Sequence, residues 1–351
     1  MSDTKILLPD LKYLQVIQWL TESSPTKSIP LQVIKELSDT KLGYFSNLAR
    51  IHNLAGFGIR IESITRLMQH LGDAALLKLF GTVDVSREIR DSANVKIKEE
   101  LVRIKASGGY MHLANSEAIE VSATHIDLLA QERKEVADGL TAMMEGMITS
   151  GWTAFEVLAT DLWEAAINAH PRGLAGLRGS AKRINKILGA AKTSEPDAFV
   201  SGADGPSKGI LISDVHRVTN GSFDLSDKWG TLLKQSFKFS TLSGIREAYS
   251  KAFDRNYLAI DACLADKSLN ALALVRNLLV HKSGVADLDY IDKQPDAPNA
   301  PSLYFGVRMQ PNGELVESLL APALECGSRL MAAVNEWLVN ARLEDEKDAG
   351  Q

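Results

Sequence analysis

The sequence predicts a mostly α protein: a helical bundle with one small β-hairpin and a helical N-terminal region. Three observations carry this. Most of the 351 residues fall into segments whose apolar side chains recur at helical spacing. Aromatic residues make up only 6% of the chain while Leu, Ala, Ile and Val abound, a composition suited to helix-on-helix packing. One pair of extended runs, SLYFGVRMQ and ELVESLL, flanks Asn312-Gly313, a dipeptide favoured in tight hairpin turns.

Each element follows from local signals. Residues 11–20 (LKYLQVIQWL) predict a helix ended by the Ser- and Pro-containing stretch up to Pro25, and Pro30 opens a short helix to about Leu37. Residues 44–52 and 59–71 predict two further helices, separated around Gly56-Phe57-Gly58. Two short helices meeting near Gly43 raise a helix-turn-helix, against which ordinary bundle packing is preferred. Residues 83–104 alternate in charge and predict a solvent-exposed helix. Gly108-Gly109 marks a break, so the expected organisation is an N-terminal region 1–121, a helical domain 122–345 and a frayed tail 346–351.

In the second part, residues 124–170 predict one extended helix, or two in line, stopped at Pro171. Residues 196–209 (PDAFVSGADGPSKG) predict a loop. Further helices are expected over 241–253, over 269–281 with Ser283-Gly284 as the C-terminal cap, and over 322–343. The hairpin is expected over 302–319.

Composition and motifs exclude several functions. Lys plus Arg number 39 against 44 Asp plus Glu, a net charge of −5, which rules out a strongly basic nucleic-acid coat but leaves room for a local patch. No apolar run is long enough to span a membrane, and the start (MSDTK) lacks a signal-peptide layout. Two distant cysteines, Cys263 and Cys326, suit a reducing compartment, so a cytoplasmic location is expected. Gly173, Gly176 and Gly179, like the glycines of 202–209, do not fit a phosphate-binding loop, and no HExxH or GxSxG occurs. His112 and His125 flank Glu117 and Glu120, but a solvated loop explains them as well as a metal would; neither metal nor cofactor is expected.

Two clusters remain. Residues 171–192 hold Arg172, Arg178, Lys182, Arg183, Lys186 and Lys192 with no acidic residue, a basic island in an acidic chain. Lys182, Arg183 and Lys186 are expected as neighbours on a helix surface, either simply solvated or contacting phosphates. The segment ALALVRNLLVHKSG sets Arg276 and Asn277 inside an apolar helix that ends with His281 and Lys282. A buried arginine is costly unless it is paired or faces a cleft. Asn277 and His281, four apart, share a face; Arg276 stands about 140° from His281 and meets it only through its long reach. Histidine can move a proton from a ribose 2′-OH or to a leaving 5′-oxygen, and arginine can hold the charge that gathers on phosphate. The plainer alternative is that Arg276 pairs with a carboxylate such as Glu156 across the core and His281 only ends a helix.

Arg276-Asn277 followed by His281 resembles the Rx4–6H motif of the HEPN superfamily (higher eukaryotes and prokaryotes nucleotide-binding). GWTAFE at 151–156 resembles the first helix of such domains. KFSTLSGIREAYSKAF, the RNLLVHKSG helix, an aspartate-rich turn and a closing helix are similar to prokaryotic members of RiboL-PSP type. The resemblance covers about residues 131–343. It implies a helical bundle that dimerises and a metal-independent endoribonuclease, used as a toxin or in antiviral defence, that cuts RNA through the ribose 2′-OH. It further implies Arg276 and His281 as the catalytic pair, Asn277 as orienter, Glu156 and Lys282 in support, and an antitoxin or other regulatory protein as a possible partner. The basic island would hold RNA. Other members are non-catalytic and bind a nucleotide or a protein, which is the alternative. The segments around Pro196 and 302–319 depart from a minimal bundle.

Overall fold

The computed structural model describes residues 10–22, 27, 29–30, 32–84, 86–88, 91, 95–96, 99, 102–103, 116–188, 210–221 and 223–349. The expected loop at 196–209, the Gly108-Gly109 break, His112 and Lys192 lie outside them, as does half of the expected helix at 83–104, whose described residues from 87 to 103 are helical and exposed. The described residues are mostly helical, and no strand occurs among them. In order the helices are α1 (Tyr13–Glu22), α2 (Ser38–Phe80), α3 (Ser116–Glu132), α4 (Lys134–Ala169), α5 (Pro171–Leu174), α6 (Arg183–Ile187), α7 (Ile212–Val218), α8 (Trp229–Leu233), α9 (Leu242–Ala252), α10 (Leu258–Leu264), α11 (Lys267–Lys282), α12 (Leu288–Lys293) and α13 (Gly313–Ala349). Single 3-10 turns lie at Lys35–Leu37, Lys234–Ser236 and Gln294–Asp296.

Two compact units emerge. The first holds α1, α2 from His52, α3, α4 as far as Glu145, and residues 311–316. Here α1 buries Tyr13, Val16, Ile17, Trp19 and Leu20, packing chiefly on α3. The Asp127 carboxylate of α3 accepts from the backbone N–H groups of Tyr13 (2.8 Å) and Leu14 (3.0 Å), satisfying donors that a helix start leaves unpaired. His125 stands on this helix rather than in a loop, with Nδ1 2.5 Å from the Glu62 carboxylate, which also accepts from Arg66 Nε at 2.5 Å.

The second unit holds α2 up to Ile51, the described residues from Gly146 to Gln310, and α13 from Glu317. Its core is built from Trp152, Phe155, Leu162 and Trp163 of α4, Ile245 and Tyr249 of α9, Leu272 and Val275 of α11, and Leu320, Leu324, Leu330 and Val334 of α13. Buried aromatics keep their polar atoms paired: Trp163 Nε1 donates to Ala248 O and Tyr249 Oη to Ala159 O. Gly151 lets α13 come close, since a Cβ there would stand 2.2 Å from Leu320 Cδ2.

Several expectations are corrected. α2 runs unbroken through Gly43, Gly56 and Gly58, so neither a helix-turn-helix at Gly43 nor a break at 56–58 exists. Gly58 serves packing instead: Tyr13 Oη lies 3.3 Å from where its Cβ would be. The helix expected after Pro30 is only the single turn at Lys35–Leu37. The long pattern from 124 to Pro171 takes the second of its two expected forms, the successive helices α3 and α4, with backbone hydrogen bonding carried across Arg133. The expected domain edge at 121/122 falls inside α3, and α13 runs past 346 to Ala349.

The hairpin is absent. Asn312 is the N-terminal cap of α13, its side chain accepting from Leu315 N at 2.9 Å. Gly313 is needed because a Cβ would stand 1.9 Å from Lys12 O, where its N–H donates to Leu11 O at 2.8 Å. The Asn-Gly dipeptide thus meets two demands that have nothing to do with a hairpin. α13 also starts nine residues before Pro322 and passes through it. Pro322 has no N–H for the carbonyl of Ser318, which accepts from Asn299 Nδ2 at 2.9 Å.

Candidate active site

α11 is built to end where its polar residues stand. Asp266 caps its start, accepting from Ser268 N at 3.0 Å. At the other end Ser283 (φ 51°) and Gly284 (φ 80°) turn the chain left-handed, and Gly284 N donates back to Leu278 O at 3.0 Å. Leu269, Leu272, Val275 and Leu278 face the core, while Arg276 is half-buried and Asn277, Val280, His281 and Lys282 are exposed. The helix is therefore buried on one face only, and its polar residues open to solvent.

Arg276 Nη1 donates to Asn277 Oδ1 at 3.0 Å and lies 3.5 Å from His281 Nε2, at the outer limit of a hydrogen bond. The guanidinium can only donate, so a bond at this nitrogen needs the imidazole as acceptor there. The three residues form one small cluster despite the 140° between Arg276 and His281. No carboxylate among the described residues pairs with Arg276. In particular Glu156, on α4, accepts from Trp152 Nε1 at 2.8 Å and is not joined to it. The core Arg276–Glu156 pair is not formed. Lys282 pairs with Asp287 at 3.0 Å. The Asp287 carboxyl is held below the usual carboxylate range by the N–H of Tyr290 and by Lys282.

No protein-family model matches the chain, and no curated protein or solved structure is similar to it.

The basic island is only partly a surface. Arg172, Arg178, Lys182 and Lys186 are exposed. Arg183 turns inward: Nε and Nη2 bind the two oxygens of Asp261 at 2.6 and 2.7 Å, Nη1 donates to Ser250 O at 2.9 Å, and the guanidinium stacks 3.8 Å from the Tyr257 ring centroid. With Asp261 only 1% exposed, this arginine neutralises a buried carboxylate and is unavailable to a ligand. Asp261 inside the apolar run LAIDACL was the signal that a buried cation would be needed.

Sequence reasoning missed Arg308. The chain leaving α11 pairs with the segment before α13: Ala286 N donates to Val307 O, Gly306 N to Ala286 O and Met309 N to Gly284 O, with an antiparallel bridge between Val285 and Arg308. The exposed Arg308 side chain passes within 4 Å of where a Gly284 Cβ would stand, across the end of α11. Only the tertiary pairing brings it there.

Proposed function

We propose that the protein is a metal-independent endoribonuclease of HEPN type, acting as a cytoplasmic homodimer on RNA, with a role as a toxin or an antiviral defence effector under a regulatory protein. The observation that carries this reading is the Arg276–Asn277–His281 cluster on α11, in which a half-buried arginine meets two exposed residues and no carboxylate among the described residues pairs with it. His281 takes the 2′-OH proton as the 2′-oxygen attacks phosphorus. The bond from phosphorus to the 5′-oxygen then breaks as that oxygen gains a proton, leaving a 2′,3′-cyclic phosphate and a 5′-OH end. Arg276 holds the non-bridging oxygens as negative charge gathers on them, and Asn277 fixes the arginine's orientation. The exposed Arg172, Arg178, Lys182 and Lys186 add sequence-independent attraction for phosphates. A second reading, a non-catalytic module that binds a nucleotide or protein, draws support from Arg183, whose loss to Asp261 weakens the basic island.

The test is RNA cleavage by purified protein in EDTA beside Arg276→Ala and His281→Ala, each checked for folding and oligomeric state. Cleavage that survives the chelator and falls by about 10²–10³ in each variant is expected. Cleavage unchanged in both variants would remove the site assignment. A well-folded parent inert on several mixed RNAs would favour the binding module.

A further inference from the structure

The segment that pairs with the residues after α11 carries an exposed aromatic doublet with no structural task in the core. Tyr304 is 83% and Phe305 67% exposed, at a turn closed by Val307 N donating to Tyr304 O, with Gly306 at φ 77°. That turn is not a loose excursion: the pairing of 306–309 with 284–286 ties it to the residues that follow His281 and Lys282. Tyr304 also lines a cavity of about 470 Å³ with Gln294, Ser302 and Ile291, and Gln294 Nε2 donates to Ser302 Oγ at 2.9 Å. Arg308, three residues on from Phe305 and with no carboxylate partner among the described residues, runs past Gly284 at the end of α11.

We propose that Tyr304 and Phe305 form a stacking platform for unpaired bases, with Arg308 on an adjoining phosphate, so that the site takes single-stranded RNA. This rests on the ribonuclease reading of the same cluster. Bases in a duplex are stacked on their neighbours and present no free face, whereas those of a single strand can stack on exposed rings beside a cation. Two exposed aromatics and an arginine with no carboxylate partner among the described residues fit that occupant. A purely apolar partner would leave Arg276 and Arg308 to be desolvated without a counter-charge.

The experiment measures binding of a fluorescent single-stranded oligoribonucleotide, its duplex, and versions with single abasic positions to His281→Ala protein. The same probes are applied after adding Tyr304→Ala with Phe305→Ala, or Arg308→Gln. Single strands should bind tighter than the duplex. The aromatic pair of substitutions should weaken single-strand binding about tenfold or more, and an abasic position should cost less in that background than in the parent. Arg308→Gln should lower the slope of affinity against salt by about one counter-ion. Because these side chains are exposed, unchanged thermal melting is expected and guards against misfolding. Parent binding that is insensitive to the aromatic substitutions and to abasic positions overturns the platform while leaving the nuclease reading standing. Loss of self-association in the aromatic variant, with RNA binding intact, identifies a second copy as occupant and also overturns it. A parent that neither binds nor cuts RNA removes both readings together.

Discussion

Arg183 and Arg276 show how differently two arginines can serve one fold. Arg183 gives its planar donor fork to the buried Asp261, and Arg276 stands at the surface beside Asn277 and His281. Breaking a buried ion pair leaves a charge without compensation and costs about 3–5 kcal/mol. Asp261→Ala should therefore lose that much stability in urea titrations. Lys186→Ala, at an exposed position of the same basic island, should stay within about 0.5 kcal/mol of the parent. Equal effects of the two would mean that Arg183 is not committed to the core.

At the scale of elements, helix ends give the sharpest expectations. Asp287 caps α12, accepting from Tyr290 N at 3.0 Å, and pairs with Lys282. Its pKa lies below the unfolded value, so its contribution to stability is complete above the usual carboxylate pKa of about 4 and disappears as pH falls through the lower folded value. Asp287→Ala should cost about 1 kcal/mol at pH 7. Asp287→Asn, which keeps a cap, should cost less, and its difference from the parent should shrink in denaturant titrations at pH 3. Gly313 offers a test of opposite sign from propensity. Gly→Ala in an open helix gains about 1 kcal/mol, whereas here the methyl group would meet Lys12 O and should cost about 1–3 kcal/mol in thermal or urea unfolding.

For the whole molecule, no helix among the described residues is long and apolar enough to cross a membrane. If the proposed homodimer completes the cleft, cleavage per protein molecule should rise with protein concentration in step with dimer formation seen by sedimentation. Activity that stays proportional to a stable monomer would limit the site to one chain.

By itself the sequence determined the helical class, helix α9 to within a residue at each end, and α11 with its Ser283-Gly284 cap, because periodicity and capping act within a few residues. It also determined that Asn277 and His281 share a face, since helix geometry settles positions four apart. Only the tertiary structure decided the rest. Whether Arg183 faced solvent depended on Asp261, seventy-eight residues away, and whether Asn312-Gly313 made a hairpin depended on how closely Lys12 approached. At Gly58 the Tyr13 ring takes the space a Cβ would need, a tertiary use for a glycine that locally reads as a break. Arg308 reached the end of α11 through backbone pairing between distant segments, which no local pattern encodes. Local signals report what a segment can do, and long-range contacts choose among those possibilities because burial and close approach depend on which segments meet.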